Sequence, residues 1–339
     1  MSNYRILKSK NKTKYSVIEL FSGAGGTSLG FQNAGLNHVL LNEIDNNAIL
    51  TLKKNFNKKT RIIHDDIVNI NFNDYIDADI VQAGFPCQSF SHSGNGLGFK
   101  DPRGLLFFEF IRCLKEVKPK IAVAENVKGL LKHNNGKTLK IMIKALNNAR
   151  YNVQYKILKS QYFDVPQKRE RLIILAIRNN LDIPFIFPKE KKYIISIDKA
   201  LKNCPKSLGQ TYSEKKVKIL KMVPEGGCWR DLPINIQKEY MKASFFQSGG
   251  RTGIARRLHR KEPSLTLMCS PSQKQTERCH PVETRPLNIR EYARIQTFPD
   301  SWIFEGSLSS QYRQIGNAVP VNLAFHIAIC VIKMLNSLR

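Results

Sequence analysis

The sequence predicts an α/β protein built on a doubly wound, largely parallel sheet that carries a smaller insertion. Three observations predict it. Short apolar runs alternate with helical patterns through the first half, as successive βαβ units do. The first of these runs ends in a glycine-rich turn, Gly23-Ala24-Gly25-Gly26, that opens a helix. Near Ile183-Pro184 the alternation stops, and helical patterning returns at Asn288. The sheet domain is therefore expected to span 1–185 and to be completed by 285–339. Residues 186–284 would be inserted as a second domain of irregular β and loop character.

The elements follow in order. Tyr15 to Phe21 is rich in β-branched and aromatic residues and reads as the first strand, with Thr27 to Asn33 as the helix after the turn. His38 to Asn42 is a second strand, Asp45 to Phe56 a second helix, and Arg61 to His64 a short third strand. Ile80 to Ala83 is the fourth; Gly84 and Pro86 end it, because proline cannot continue the ladder. Leu105 to Val117 is helical, and Lys120 to Ala124 is the fifth strand, ending at Glu125-Asn126-Val127. Lys137 to Ala149 is a helix and Arg171 to Arg178 a strongly apolar later strand. Asn288 to Gln296 and Asn322 to Leu335 are helices. The last is the most apolar stretch, but it is short and carries His326 and Lys333, so it reads as a core helix rather than a membrane span.

Composition narrows the partners. Hydrophobic residues make up 42% of the 339, enough for a substantial core, and charged residues make up 24%. Lys and Arg number 54 against 27 Asp and Glu, a formal charge of +27 that points to a polyanion, nucleic acid first. The seven cysteines form no CxxC pair and have no zinc-ligand spacing, so no metal is expected and a reducing cytoplasm suits them. The basic segment Arg5 to Lys14 has no apolar run after it and does not read as a signal peptide.

Phe21 to Gly26 sits where a nucleotide-type cofactor docks in a doubly wound sheet, the glycines letting the backbone approach it. The sixth position of the dinucleotide pattern is Ser28, so the pyrophosphate fingerprint is incomplete. Glu43 follows about twenty residues on, at the end of the second strand, where a carboxylate accepts ribose hydroxyls. Asp66, with Ile67 beside it, ends the next strand and could take an adenine amine. Adenosine without pyrophosphate points to S-adenosylmethionine rather than NAD.

Gly84-Phe85-Pro86-Cys87-Gln88-Ser89 places a thiol on the loop after the fourth strand, where such sheets put their ligands. Most free cysteines are small buried hydrophobes, whereas one held on this loop is a candidate nucleophile.

Together these segments resemble the bacterial DNA cytosine 5-methyltransferases of type II restriction–modification systems. The matching stretches are Phe21 to Gly26, Pro86-Cys87-Gln88, Glu125-Asn126-Val127, Gln167-Lys168-Arg169-Glu170-Arg171, Arg285-Pro286-Leu287 through Arg290-Glu291, and Gly316 to Pro320. They occur in the family's order and bracket nearly everything outside 186–284. The resemblance implies a Rossmann-like methyltransferase domain, S-adenosylmethionine as cofactor and a flipped-out cytosine as substrate. Cys87 would be the nucleophile, Glu125 the acid at nitrogen 3, and Arg171 the ligand of the ring carbonyl, with Arg169 in support. Phe21, Leu106, Pro86 and Asn317 would complete the cofactor pocket. Ile44 stands where relatives carry an aromatic residue. The loop from Ser89 to Lys100, with Ser93, would close over DNA. A tRNA cytosine methyltransferase would share this apparatus; the basic insertion of nearly 100 residues favours double-stranded DNA.

Within the insertion, Gly249 to Arg260 is the densest basic stretch, and Arg251, Arg256 and Arg257 could present forks to guanine. Gln273, Lys274, Gln275 and Arg278 form a second cluster. Thr266-Leu267 resembles a pair that relatives place beside the flipped nucleotide. A monomer without membrane attachment, protecting DNA from a separate cognate endonuclease, completes the expectation.

Overall fold

The computed structural model describes residues 4–57, 59–86 and 105–338. Cys87, Ser89, Ser93 and the remainder of the loop to Lys100 lie outside the described residues.

The chain runs β1 (Ser16–Leu20), α1 (Gly26–Ala34), β2 (Asn37–Glu43), α2 (Asn46–Asn55), β3 (Arg61–His64), β4 (Ile80–Ala83), α3 (Leu105–Val117), β5 (Ile121–Val127), α4 (Lys137–Asn148), β6 (Tyr151–Lys159), β7 (Gln167–Lys168) and β8 (Glu170–Arg178). It continues with α5 (Ile197–Leu201), α6 (Glu214–Met222), α7 (Ile234–Met241), β9 (Ser264–Leu265), α8 (Ile289–Ile295), α9 (Leu308–Asn317) and α10 (Val321–Asn336). The main sheet has seven strands in the order β3-β2-β1-β4-β5-β8-β6. The strands from β3 to β5 are parallel, and β8 runs antiparallel between β5 and β6. Strand order reverses between β1 and β4, and the crevice at their carboxyl ends is where a ligand fits this architecture.

Apolar residues on both faces bury the sheet. Residues of α3, α4 and the 67–78 segment cover one face, around Phe72, Phe107 and Phe110. On the other, α1 and α10 pack against Val17, Ile80 and Ile121. The approach of α1 to α10 depends on Gly30, where an added Cβ would lie 2.5 Å from both the Ala324 Cβ and the Val321 carbonyl oxygen. Helix α10 buries Leu323, Ala324, Ile327, Val331 and Met334, as its expected core role requires.

Strand β6 and helix α9 carried too little local signal to be assigned. Strand β6 is an edge strand with Asn152, Gln154 and Lys156 exposed or half-exposed, so its apolar run is broken. Helix α9 buries Ser310 and Gln314 alongside Tyr312 and Ile315, and a polar buried face hides its periodicity. Asp66 does not end β3, which stops at His64; it caps a short 3₁₀ turn, accepting a hydrogen bond from the Val68 amide at 3.2 Å.

The segment 186–284 is irregular, but its regular pieces are short helices, with two-residue β9 pairing β7 in parallel. It forms a hydrophobic cluster of its own around Leu220, Trp229, Met241 and Ile254. Ile197, Leu258 and Leu267 instead join the cluster built by α2, α8 and α9. Arg257, 5% exposed, holds the segment together. It donates to the Leu220 and Val223 carbonyls at 2.6 and 2.9 Å, where α6 ends, and to the His280 and Glu283 carbonyls and Thr284 Oγ1 at 2.9–3.2 Å. One guanidinium thus ties α6 to the strand of chain returning to the sheet.

Two outcomes are expected. Gly30→Val should destabilise by about 1–3 kcal/mol through overpacking against α10, read as a lowered thermal midpoint. Arg257→Ala leaves buried carbonyls without donors and should cost about 2–4 kcal/mol. A midpoint equal to that of the parent protein would show that the carbonyls are re-solvated without strain.

Candidate active site

The turn after β1 is shaped by left-handed backbone: Phe21, Gly23 and Gly25 have φ of 57, 53 and 85°. Gly25 is also the N-cap of α1. Ala24 is buried and Gly26 faces the Val319 carbonyl. Glu43, ending β2, reaches across: Oε2 accepts the Gly23 amide at 2.7 Å, and Oε1 accepts those of Ile44 and Asp45 at 2.8 and 2.9 Å. A carboxylate offers about four lone-pair sites, so at least one remains for a ligand. Ile44 is 62% exposed beside it, an apolar surface. Asp66 is partly exposed, whereas the Ile67 side chain belongs to the core beneath and can contribute backbone alone. Phe21 and Leu106 pack partly buried against that same core.

The chain leaves β4 through Gly84, whose amide donates to the Leu20 carbonyl, and Phe85, whose ring is buried against Phe107 at 5.4 Å. Asn126 then donates its side-chain amide to the Phe85 carbonyl at 3.1 Å. A Cβ on Gly84 would stand 3.7 Å from Glu125 Oε2. The root of the loop, up to exposed Pro86, is therefore pinned alongside Glu125.

Antiparallel pairing of β5 with β8 sets Val127 opposite Arg171 and Glu125 opposite Ile173. This brings Arg171 Nε 2.7 Å from Glu125 Oε1, with both side chains 12–14% exposed. The N–H is not aimed along that line, and Oε1 accepts no hydrogen bond. The pair is an ionic contact with unused hydrogen-bonding capacity. Arg169 lies deeper, 2% exposed, with weak 3.4 Å bonds to the Leu267 and Asn317 carbonyls and no partner at Nε. Burial, and then the neighbouring Arg171 guanidinium, push its pKa well down. Among the described residues no carboxylate forms an ion pair with it.

A buried amide relay supports this group. Gln167 donates to Gln296 at 2.9 Å and accepts the Leu267 amide at 3.0 Å, while Gln296 donates to the Ile315 and Ala318 carbonyls. These bonds hold β7, the Thr266–Met268 stretch and the end of α9 together. Asn317 is exposed at that helix end, its Oδ1 3.1 Å from the Cys269 thiol. Sequence reasoning gave Asn126 and Gln296 no part; Asn126 was legible as motif but not as a latch.

The two basic clusters of the insertion are neighbours. The Glu277 amide donates to the Gly253 carbonyl at 3.0 Å, and Glu277 Oε2 accepts the Ala255 amide. Arg251 is partly exposed, held by the Ser244 carbonyl and Gln247 Oε1. Gln273 is exposed, and Thr266 donates its hydroxyl to the Lys168 carbonyl. Arg256 is half-buried with Nε unbonded. Two expected DNA contacts are corrected. Arg257 is saturated by carbonyls, and Arg278, 6% exposed, donates to the Thr266 and Glu277 carbonyls. Their guanidiniums face inward because the irregular chain leaves carbonyls that no helix or ladder satisfies.

Residues 15–333 match the C-5 cytosine-specific DNA methylase family. The chain is 52% identical to the type II methyltransferase M.Eco47II of Escherichia coli over 336 residues, which cover 96% of it and 80% of that protein. It is 50% identical to M.Sau96I of Staphylococcus aureus over 335 residues, covering 96% and 77%. Its fold is similar to that of a DNA modification methyltransferase encoded within an Escherichia coli prophage, at TM-score 0.71 and 24% identity over 96% of this chain and 100% of that one. A DNMT2 variant from Spodoptera frugiperda has TM-score 0.69 at 19% identity, over 96% and 100%. The seven-stranded, mostly parallel sheet agrees with those matches: the chain is a member of the C-5 cytosine-specific DNA methylase family, a type II DNA cytosine 5-methyltransferase.

Proposed function

We propose that the protein binds S-adenosylmethionine in the crevice between β1 and β4. There it methylates carbon 5 of a cytosine flipped out of double-stranded DNA, through a covalent adduct to Cys87. The observation that carries this reading is the Glu125–Arg171 pair beside the pinned root of the Cys87 loop, 2.7 Å apart and largely shielded from water. A thiol delivered there meets an acid and a guanidinium together.

The cofactor surroundings fit. Gly23 has open space on its Cβ side, Glu43 keeps acceptor capacity for ribose hydroxyls, and exposed Ile44 offers apolar cover for an adenine. Asp66, Phe21, Leu106, Pro86 and Asn317 would complete the pocket. The cofactor supplies an electrophilic methyl group.

The chain's own residues do the rest. Carbon 5 of cytosine is unreactive until a nucleophile adds at carbon 6. The Cys87 thiolate forms the sulfur–carbon bond; as the ring carbonyl takes over the Arg171 guanidinium, the Glu125 carboxyl is released from that ion pair and gives a proton to nitrogen 3, which accommodates the displaced electron pair. Arg171 donates to the ring carbonyl, with Arg169 behind it, so charge develops against fixed donors. After carbon 5 takes the methyl group, a water-derived base removes its proton; that electron pair re-forms the carbon 5–carbon 6 double bond, the carbon 6–sulfur pair leaves with Cys87, and nitrogen 3 returns its proton to Glu125. None of these atoms is reachable inside a duplex, which requires base flipping. We assign 186–284 to target recognition, with Arg251, Arg256, Thr266 and Gln273 as the available groups. The enzyme would act as a cytoplasmic monomer that shields its sites from a cognate endonuclease.

Cys87→Ala should abolish methylation while leaving DNA binding nearly intact, because affinity rests mainly on phosphate contacts. A duplex with 5-fluorocytosine should trap an adduct on Cys87 by mass spectrometry; recovery on Cys113 or Cys269 would overturn the assignment. Glu43→Ala should weaken cofactor binding by roughly ten- to a hundredfold in calorimetry, the loss of charge-assisted bonds of about 1.5–3 kcal/mol. Unchanged affinity would reduce Glu43 to a brace for the turn. Exchanging 186–284 with a relative should move the methylated site, read by bisulfite sequencing, and still yield 5-methylcytosine. A folded exchange protein that keeps the original site would place recognition in the sheet domain.

A further inference from the structure

Phe246 is 80% exposed, an unusual state for the side chain with one of the largest apolar payloads. Its exposure is imposed by the fold. The preceding residue, Phe245, packs edge-on against buried Trp229 at 6.1 Å and anchors the short 3₁₀ turn Lys242–Phe246 to the insertion's core. With Phe245 turned in, Phe246 is driven out, its ring 5.2 Å from that of Phe245. Arg251 locks the turn from its far side, donating to the Ser244 carbonyl at 3.1 Å and to Gln247 Oε1. The exposed ring therefore stands on a braced platform.

The surroundings say what covers it. Lys242 begins the turn and Arg251 closes it. Lys274 lies over the Tyr240 ring at 5.1 Å, on the helix that leads into the turn. Among the described residues nothing lies within 4 Å of a Cβ built on Gly250, so the chain beside the turn is open to solvent. An exposed aromatic ring on a turn that Lys242 opens and Arg251 braces suits a polyanion whose interior is apolar and stacked.

We propose that Phe246 stacks on a base step of the recognition site as an apolar wedge, with Lys242, Arg251 and Lys274 holding the flanking phosphates. This rests on the assignment of 186–284 to target recognition. A wedge contributes through bases and not through charge, and this separates it from its neighbours. It should strengthen binding where the step unstacks easily and leave the salt dependence of binding unchanged.

The test uses the intact enzyme and a duplex carrying the site located by bisulfite sequencing of plasmid DNA from expressing cells. Phe246→Ala should weaken binding to that duplex about tenfold, while cofactor affinity and thermal midpoint stay at parental values. The slope of affinity against salt should not change. Phe246→Trp should restore binding, and Lys274→Ala should flatten the salt slope instead. Phe246→Ala with parental affinity and site selectivity would overturn the proposal. So would an equal loss on specific and non-specific DNA with a flatter slope, which would make the ring a support for phosphate contacts. If the parental enzyme does not bind DNA through 186–284, as the exchange protein reports, the underlying assignment fails first and visibly so.

Discussion

The antiparallel pairing of β8 with β5 is the constraint on which the rest of the site depends. Glu125 and Arg171 lie 46 positions apart in the sequence and on strands that are not consecutive. A parallel strand in that place would send its residues past β5 in the opposite sense and carry Arg171 to the far edge of the sheet. Reversal puts the start of β8 against the end of β5, so acid and guanidinium meet at the carboxyl edge of the parallel strands. The β6–β8 hairpin follows from this, because β6 must cover the outer flank of β8 and satisfy its remaining backbone groups.

Around that seam, single polar contacts rather than large apolar ones aim the loops. Asn126 holds the Phe85 carbonyl, Glu43 gathers three backbone amides at the glycine turn, and Gln296 links Gln167 to the end of α9. Each bond adds about 0.5–1.5 kcal/mol net, yet leaving any partner buried and unpaired costs more than the bond contributes. The geometry is therefore specified more strongly than it is stabilised. Arg169 is the exception: a buried guanidinium with weak partners and an idle Nε is held at a cost.

The insertion follows a different logic. It has little ladder and short helices, so many carbonyls would lie buried without donors. Arg257 and Arg278 supply those donors, and this removes two of the cations that the +27 charge seemed to offer DNA. Of the groups expected to meet DNA, those that stay accessible are Arg251 on its braced turn, half-buried Arg256, Thr266 and exposed Gln273. Counting basic residues overstates an interface wherever arginines are also needed as framework.

The sequence by itself determined the order and kind of most of the sheet domain. Strands Arg61–His64 and Ile80–Ala83 and helix Leu105–Val117 stand where the pattern of apolar residues puts them. The glycine turn, Glu43 at the end of β2, and Glu125 at the end of β5 were legible for the same reason: turn chemistry and periodicity are local and act over a few residues. Tertiary structure alone decided β6 and α9, whose buried faces are polar or interrupted, and the helical character of the insertion. It also decided which arginines are interior. Arg256 and Arg257 are adjacent and alike in sequence; one keeps an unbonded Nε while the other is enclosed by carbonyls from Leu220 to Glu283. Nothing local distinguishes them, because the enclosing partners come from distant segments that meet once the chain is folded.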